Sequence, residues 1–127
     1  VTTKTVVISD RAPKAIGPYS QALAAGGFVF ISGQIPLGLD GALAPGGVTE
    51  QTQRCFENLI AILTAAGLTT KDVVKTTVFM TDLGKFAEMN EVYARHFAPP
   101  FPARATVQVA ALPKGALVEI EALAVRP

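Results

Sequence analysis

At 127 residues, half of them hydrophobic and with 11 Lys and Arg against 10 Asp and Glu for a formal net charge of +1, the chain is the size of one domain, ~100–150 residues. It lacks the cationic excess by which nucleic-acid-binding proteins displace counterions from phosphate. Charged residues make up 17% of it, against ~25% in typical soluble domains, and mean hydropathy is +0.39, so apolar surface beyond what one copy buries, and hence self-association, is expected. No apolar run approaches the ~20 residues that span a bilayer, and the opening Val-Thr-Thr-Lys has no secretory apolar region or cleavage site. The single cysteine, Cys55, has no partner for an internal disulfide and suits a reducing compartment. One domain over residues 1–127, cytoplasmic and without a membrane segment, is the expectation.

Lys4 to Ile8 and Phe28 to Ser32 are short β-branched or aromatic runs, with a strand expected over Tyr19 to Ala24 between them; Gly26-Gly27 then closes an antiparallel meander. From Thr49 to Ala66 the apolar period becomes helical through Cys55, Leu59, Ile62 or Leu63, and Ala66, with Thr49 placed to cap the start and Gly67 to stop the end. Val73 to Thr81 is again β-rich, and Phe86, Met89, Tyr93 and Phe97 form a second helical stripe before Pro99-Pro100. Ala103 to Val109 and Leu117 to Val125 read as the last two strands. The class is α+β, with two helices on one face of a mixed sheet. Alternation puts Ala105, Val107 and Val109 on one face of their strand, and Val118, Ile120, Ala122 and Ala124 on one face of theirs. Leu117, Leu123 and Val125 lie opposite, so the uncovered face also needs a cover, most simply another subunit's sheet.

Several residues carry chemistry. Arg104 stands in an otherwise apolar strand, where five N–H donors need acceptors. It either pairs with Glu119 or Glu121, or holds a substrate carboxylate through two parallel hydrogen bonds. Glu119 and Glu121 project from one strand face, where like charges raise a pKa or share a cation. They either form a solvated strand edge or handle a water molecule by general acid/base chemistry. Asn90 lies near the aromatic side of the second helix, as a tie between helix and loop or a ligand contact. Tyr19 follows Gly17-Pro18 at a turn into a strand, as a core plug or a hydrogen-bond donor to a ligand. Ser32-Gly33-Gln34 ends a strand with a glycine that admits close approach to the backbone. The glycines at 38, 41, 46 and 47 lack the order of a phosphate loop, which excludes that nucleotide site. One His, His96, and one Cys leave no transition-metal ligand set, and Cys55 reads as core.

Ile16 to Ala22, Ile31 to Pro36, Val73 to Leu83, Asn90 with Tyr93, Phe101 to Arg104, and Val118 to Ala122 together resemble the Rid/YjgF family, most closely its RidA-type enamine/imine deaminases. The resemblance runs over nearly the whole chain. It implies a chorismate-mutase-like (YjgF-like) α+β fold, assembled as a homotrimer whose sheets form a central barrel, with active sites between subunits. It further implies hydrolysis of 2-aminoacrylate and related 2-enamino and 2-imino acids to 2-keto acids and ammonia, with no cofactor and no metal. On the matching positions Arg104 holds the substrate carboxylate, Glu119 positions or activates water, and Tyr19 donates a proton or hydrogen bond. Ser32, Gly33, Asn90 and Thr106 line the substrate pocket. Thr106 stands where close relatives often carry Cys, which argues against a covalent thiol mechanism. A ribonuclease or translation inhibitor, and a non-catalytic carboxylate binder or chaperone-like oligomer, are the alternatives; near-neutral charge disfavours the first.

Overall fold

In the computed structural model, which describes residues 3–127, the runs of alternating and helical hydrophobicity become six strands and two helices. They are β1 (Thr5–Val7), β2 (Ala22–Ala25), β3 (Phe28–Gln34), α1 (Val48–Ala65), β4 (Val73–Met80), α2 (Phe86–Ala94), β5 (Ala103–Gln108) and β6 (Val118–Val125). The sheet order is β1-β2-β3-β6-β4-β5. The β1–β3 meander is present, its second turn made by Gly26 and Gly27 at φ +59° and +83°, the left-handed conformation that a two-residue hairpin demands. Only β4 and β5 run parallel, joined by α2 as a crossover. β6 lies between β3 and β4, antiparallel to both.

Three local expectations shift. The strand anticipated from Tyr19 begins only at Ala22, because Gly17 (φ +125°) and the Tyr19 N–H, which donates to the Gly17 carbonyl, hold Tyr19 in a turn. Helix α1 is capped by Gly47 rather than Thr49: Glu50 reaches back to accept the Gly47 N–H at 2.8 Å, so the helix is under way before Thr49. Gly67 (φ +77°) does stop it, and the Leu68 N–H returns to the Leu63 carbonyl. Helix α2 ends at Ala94, ahead of Pro99-Pro100. There Arg95 and His96 donate to the Val92 and Tyr93 carbonyls, tightening the last turn, while Phe97 still packs on Tyr93 and Phe56.

Both helices cover one face of the sheet. Cys55, Phe56, Leu59, Ile62 and Leu63 of α1 and Met89 and Val92 of α2 are buried with Val78 and Met80 of β4 and Val118, Ile120, Ala122 and Ala124 of β6. The other face has no helix over it. Phe28 and Phe30 of β3 are 41% and 50% exposed there, paired with Val125 and Leu123 of β6. The alternation in the sequence had located both apolar faces. Ile62, fully buried on α1, anchors the covered face, and Ile62→Ala is expected to lower unfolding free energy by about 2–5 kcal/mol in urea denaturation.

Candidate active site

The candidate residues fall into two groups. The first is built on β5 and α2. Thr76, Val78 and Met80 point from β4 into the core, and their parallel partners on β5 are Arg104, Thr106 and Gln108, so Arg104 leaves the sheet on the helix side. Being on an edge strand, it meets α2 rather than the core. Its Nη1 donates to Asn90 Oδ1 at 2.7 Å, and its guanidinium lies 4.6 Å from the centre of the Tyr93 ring and 5.4 Å from that of Phe86. Phe86, Asn90 and Tyr93 follow one another at i, i+4 and i+7, a single helical stripe. Thr106 stands two residues along the same face, its hydroxyl buried without a hydrogen-bond partner.

The second group gathers on the opposite face, where β3 meets β6. The pairing Ile31↔Ala122 slips to Gln34↔Ile120, a bulge at Ser32-Gly33 that turns this backbone toward Glu119. The approach is close enough that a Cβ on Gly33 would lie 2.6 Å from Glu119 Oε2. The Ser32 hydroxyl donates to the Ser20 carbonyl and so braces the strand. A groove of about 950 Å³ opens over these residues, with Tyr19, Ser32, Gly33 and Glu119 in its lining and Ile16 and Leu39 on its apolar walls. The Tyr19 hydroxyl accepts the Ile16 N–H at 3.2 Å. The loop forming that wall is held by buried Gln21, whose Nε2 donates to the carbonyls of Ser9 and Pro13 while Oε1 accepts the Ser9 N–H.

Glu119 is half-buried, and burial raises its pKa above the ordinary carboxylate value, with the neighbouring Glu121 adding to the rise. The ion pair considered for Arg104 is not made. Glu119 and Glu121 pair across β4 with Phe79 and Thr77, positions on the uncovered face, whereas Arg104 pairs with Thr76 on the covered one. One chain therefore holds Arg104 and Glu119 on opposite sides of its sheet with β4 between their strands. Among the described residues the ion pairs are Arg54–Glu57, Lys85–Glu88 and Arg95–Glu91, and none includes Arg104.

Sequence reasoning named the members of both groups without their separation, and it gave no framing role to the residues around them. Phe86 and Tyr93 were visible as a helical stripe, yet nothing in the spacing identified Arg104 as what that stripe faces. Ile16, Leu39 and Gln21 frame the groove through contacts between distant loops, which leave no period to read. Cys55 is core as expected, its thiol pushed well above its ordinary pKa by burial and then by Glu119. His96 stacks on Phe56 with centroids 4.3 Å apart and meets Gln53 Oε1 through Nε2, and burial followed by Arg95 lowers its pKa. It is a packed ring whose surroundings favour the neutral form. Among the described residues no cluster of His, Cys, Asp and Glu is placed to hold a metal ion, and no helix is long and apolar enough to cross a membrane.

Residues 9–126 match a family described as Endoribonuclease L-PSP. A RutC family protein of Pyrococcus horikoshii is 51% identical over 122 residues, which cover 95% of this chain and 97% of that one. A mouse protein named 2-iminobutanoate/2-iminopropanoate deaminase is 49% identical over 126 residues, covering 97% and 92%. Among solved structures, E. coli TdcF with bound serine superposes with a TM-score of 0.91 at 48% identity, over 97% of this chain and 99% of that one.

The electrostatics of Glu119 have a direct test. Because the charge on Glu121 opposes ionisation of Glu119, Glu121→Gln is expected to move the Glu119 titration to lower pH, toward the ordinary carboxylate range, as followed by carbonyl-carbon NMR.

Proposed function

As the chain belongs to the Rid/YjgF family, we propose that it hydrolyses 2-imino acids and their 2-enamino tautomers, 2-aminoacrylate among them, to 2-keto acids and ammonia. The observation that carries this reading is the pair of complementary half-sites. One is an oriented guanidinium with no carboxylate partner among the described residues; the other is a carboxylate of raised pKa on a groove. The name of the mouse relative and the serine bound by TdcF support it, since an α-amino acid carries the same carboxylate beside the reacting carbon.

The chemistry needs few groups, because a protonated imine carbon is already electrophilic. Arg104 has one N–H committed to Asn90 and presents its remaining donors to the substrate carboxylate, fixing C2 in place. Glu119, as carboxylate, takes a proton from water while the water oxygen bonds to C2, giving a tetrahedral amino alcohol. The protonated Glu119 then gives that proton to the nitrogen as the C–N bond breaks and ammonia leaves with its electron pair; the hydroxyl passes its own proton through Glu119 to the departing ammonia as its oxygen becomes the ketone, so that ammonium is released and Glu119 is again a carboxylate. A raised pKa suits both halves of this exchange. Tyr19 lines the groove beside Glu119 and donates a hydrogen bond to the departing nitrogen or the attacking oxygen. Thr106 flanks Arg104 in place of a nucleophilic thiol, and no step requires a covalent intermediate, a cofactor or a metal.

Since Arg104 and Glu119 face opposite ways in one chain, the complete site forms between copies, the β5–α2 side of one against the groove of the next. The exposed Phe28 and Phe30 face supplies the apolar surface for assembly, here taken as a closed homotrimer with its sheets inward. Cytoplasmic residence fits the intracellular origin of such reactive imines.

Two measurements test this. With 2-iminobutanoate generated in situ by a threonine dehydratase and trapped by semicarbazide, the wild-type protein accelerates imine loss, and Arg104→Ala lowers kcat/KM by about 100-fold or more. No acceleration by the wild type, or RNA cleavage lost in the same variant, overturns the deaminase. Dissociating and reassembling equal amounts of Arg104→Ala and Glu119→Gln proteins regenerates about a quarter of wild-type activity, the random chance that both partners at an interface are intact. No recovery from demonstrably mixed oligomers overturns the shared site.

A further inference from the structure

Arg104 is a long side chain on an edge strand, and a free arginine there would sample many rotamers. Its guanidinium is instead constrained in two independent ways. Asn90 Oδ1, 2.7 Å from Nη1, sets the direction of the fork, and the Tyr93 ring, with its centre 4.6 Å from the guanidinium carbon, supports it as a cation over an aromatic face. The Tyr93 ring is in turn fixed at its far end. Its hydroxyl and Thr76 Oγ1 share a buried 2.7 Å hydrogen bond, and Thr76 is the residue directly across from Arg104 in the β4–β5 register. The circuit is closed: Arg104 to its strand partner Thr76, Thr76 to Tyr93, and Tyr93 back to Arg104.

We infer that Tyr93, locked by Thr76, is a positioning residue that sets the plane in which Arg104 meets a carboxylate. This deepens the proposed function and rests on its assignment of Arg104 as the carboxylate receptor. Tyr93 does not touch the substrate; it acts through the guanidinium. The role accounts for a buried polar pair inside an otherwise aromatic cluster, where Tyr93 packs edge-on against Phe56 and tilted against Phe97. Packing alone would be served as well by Phe opposite Val. The hydroxyl pair adds a directional lock, and among the described residues the Arg104 guanidinium is the charged group resting on the ring so locked.

The pair also separates positioning from stability. Tyr93→Phe or Thr76→Val leaves one buried hydroxyl without a partner, and either is expected to lower the melting temperature. The double variant removes both hydroxyls, leaves an apolar pair and is expected to recover most of that loss. Affinity is expected not to follow. For 2-ketobutyrate, a product-like carboxylate, calorimetric Kd should rise about 3–10-fold in either single variant and stay raised in the double variant, because the ring remains unlocked. In the wild type the Arg104 Nε–H resonance should be displaced upfield by the Tyr93 ring, and Tyr93→Leu should abolish that displacement. A Kd that returns to the wild-type value with the melting temperature, or an Arg104 resonance indifferent to Tyr93→Leu, overturns the inference. Binding of 2-ketobutyrate by a wild-type protein that shows no deaminase turnover removes the deaminase reading and leaves this test intact. Failure of the wild type to bind 2-ketobutyrate removes the positioning role itself.

Discussion

Period-two alternation along β6 is the constraint on which everything else depends. This strand is central to the sheet, so one of its faces must supply core and the other is left to whatever the sheet meets outside. Val118, Ile120, Ala122 and Ala124 are consumed by the core. Glu119 and Glu121 are thereby forced outward between them, and no rotamer of Glu119 brings it to the helix side without burying a charge among those residues. Arg104 obeys the same rule in the opposite sense, because its β4 neighbour Thr76 faces the helices. The division of the functional groups between two faces thus follows from the strand pairing before any substrate is considered.

Much of this was readable in advance, for identifiable reasons. The helical stripe through Cys55 and Leu59, the Gly26-Gly27 turn, the glycine stop at Gly67 and the two apolar faces of β6 are local patterns, and local patterns survive folding. The misplaced features depend on contacts between distant residues. Glu50 reaching back to Gly47 moved the start of α1, and the turn at Gly17 removed Tyr19 from its strand. The identities of Arg104, Glu119, Tyr19, Ser32, Gly33, Asn90 and Thr106 as candidates were legible, but their partners were not. Pairing Arg104 with Glu119 looked sensible from two opposite charges in neighbouring strands by sequence order. The sheet order, with β4 inserted between β5 and β6, could not be counted off the chain.

The two groups also differ in how much the fold spends on them. Around Glu119 it accepts a bulge in β3, a glycine where an added Cβ would displace the Glu119 side chain, and a like charge at Glu121. The bulge and the glycine bring backbone close against the same carboxylate, while burial and Glu121 raise its pKa. The groups that hold the Arg104 guanidinium are favourable to it: an acceptor, two aromatic faces and a strand partner tied to one of them. On the proposed reading, close packing at the group assigned to proton exchange and rigidity at the group assigned to the substrate carboxylate match what general acid/base chemistry and carboxylate recognition respectively require.

On the proposed reading, that asymmetry bears on why the halves would belong to different copies. Had Glu119 and Arg104 shared one face at salt-bridge distance, each would have neutralised the other: the guanidinium would draw the carboxyl's pKa down, and the carboxylate would occupy the donors that the proposed reading assigns to substrate. Separation across a sheet prevents that pairing during folding of the single chain, when no substrate is present to intervene. Assembly then becomes the step that creates the site, on the proposed reading, and the apolar Phe28 and Phe30 face that drives it is as much part of the catalytic apparatus as the charged residues it brings together.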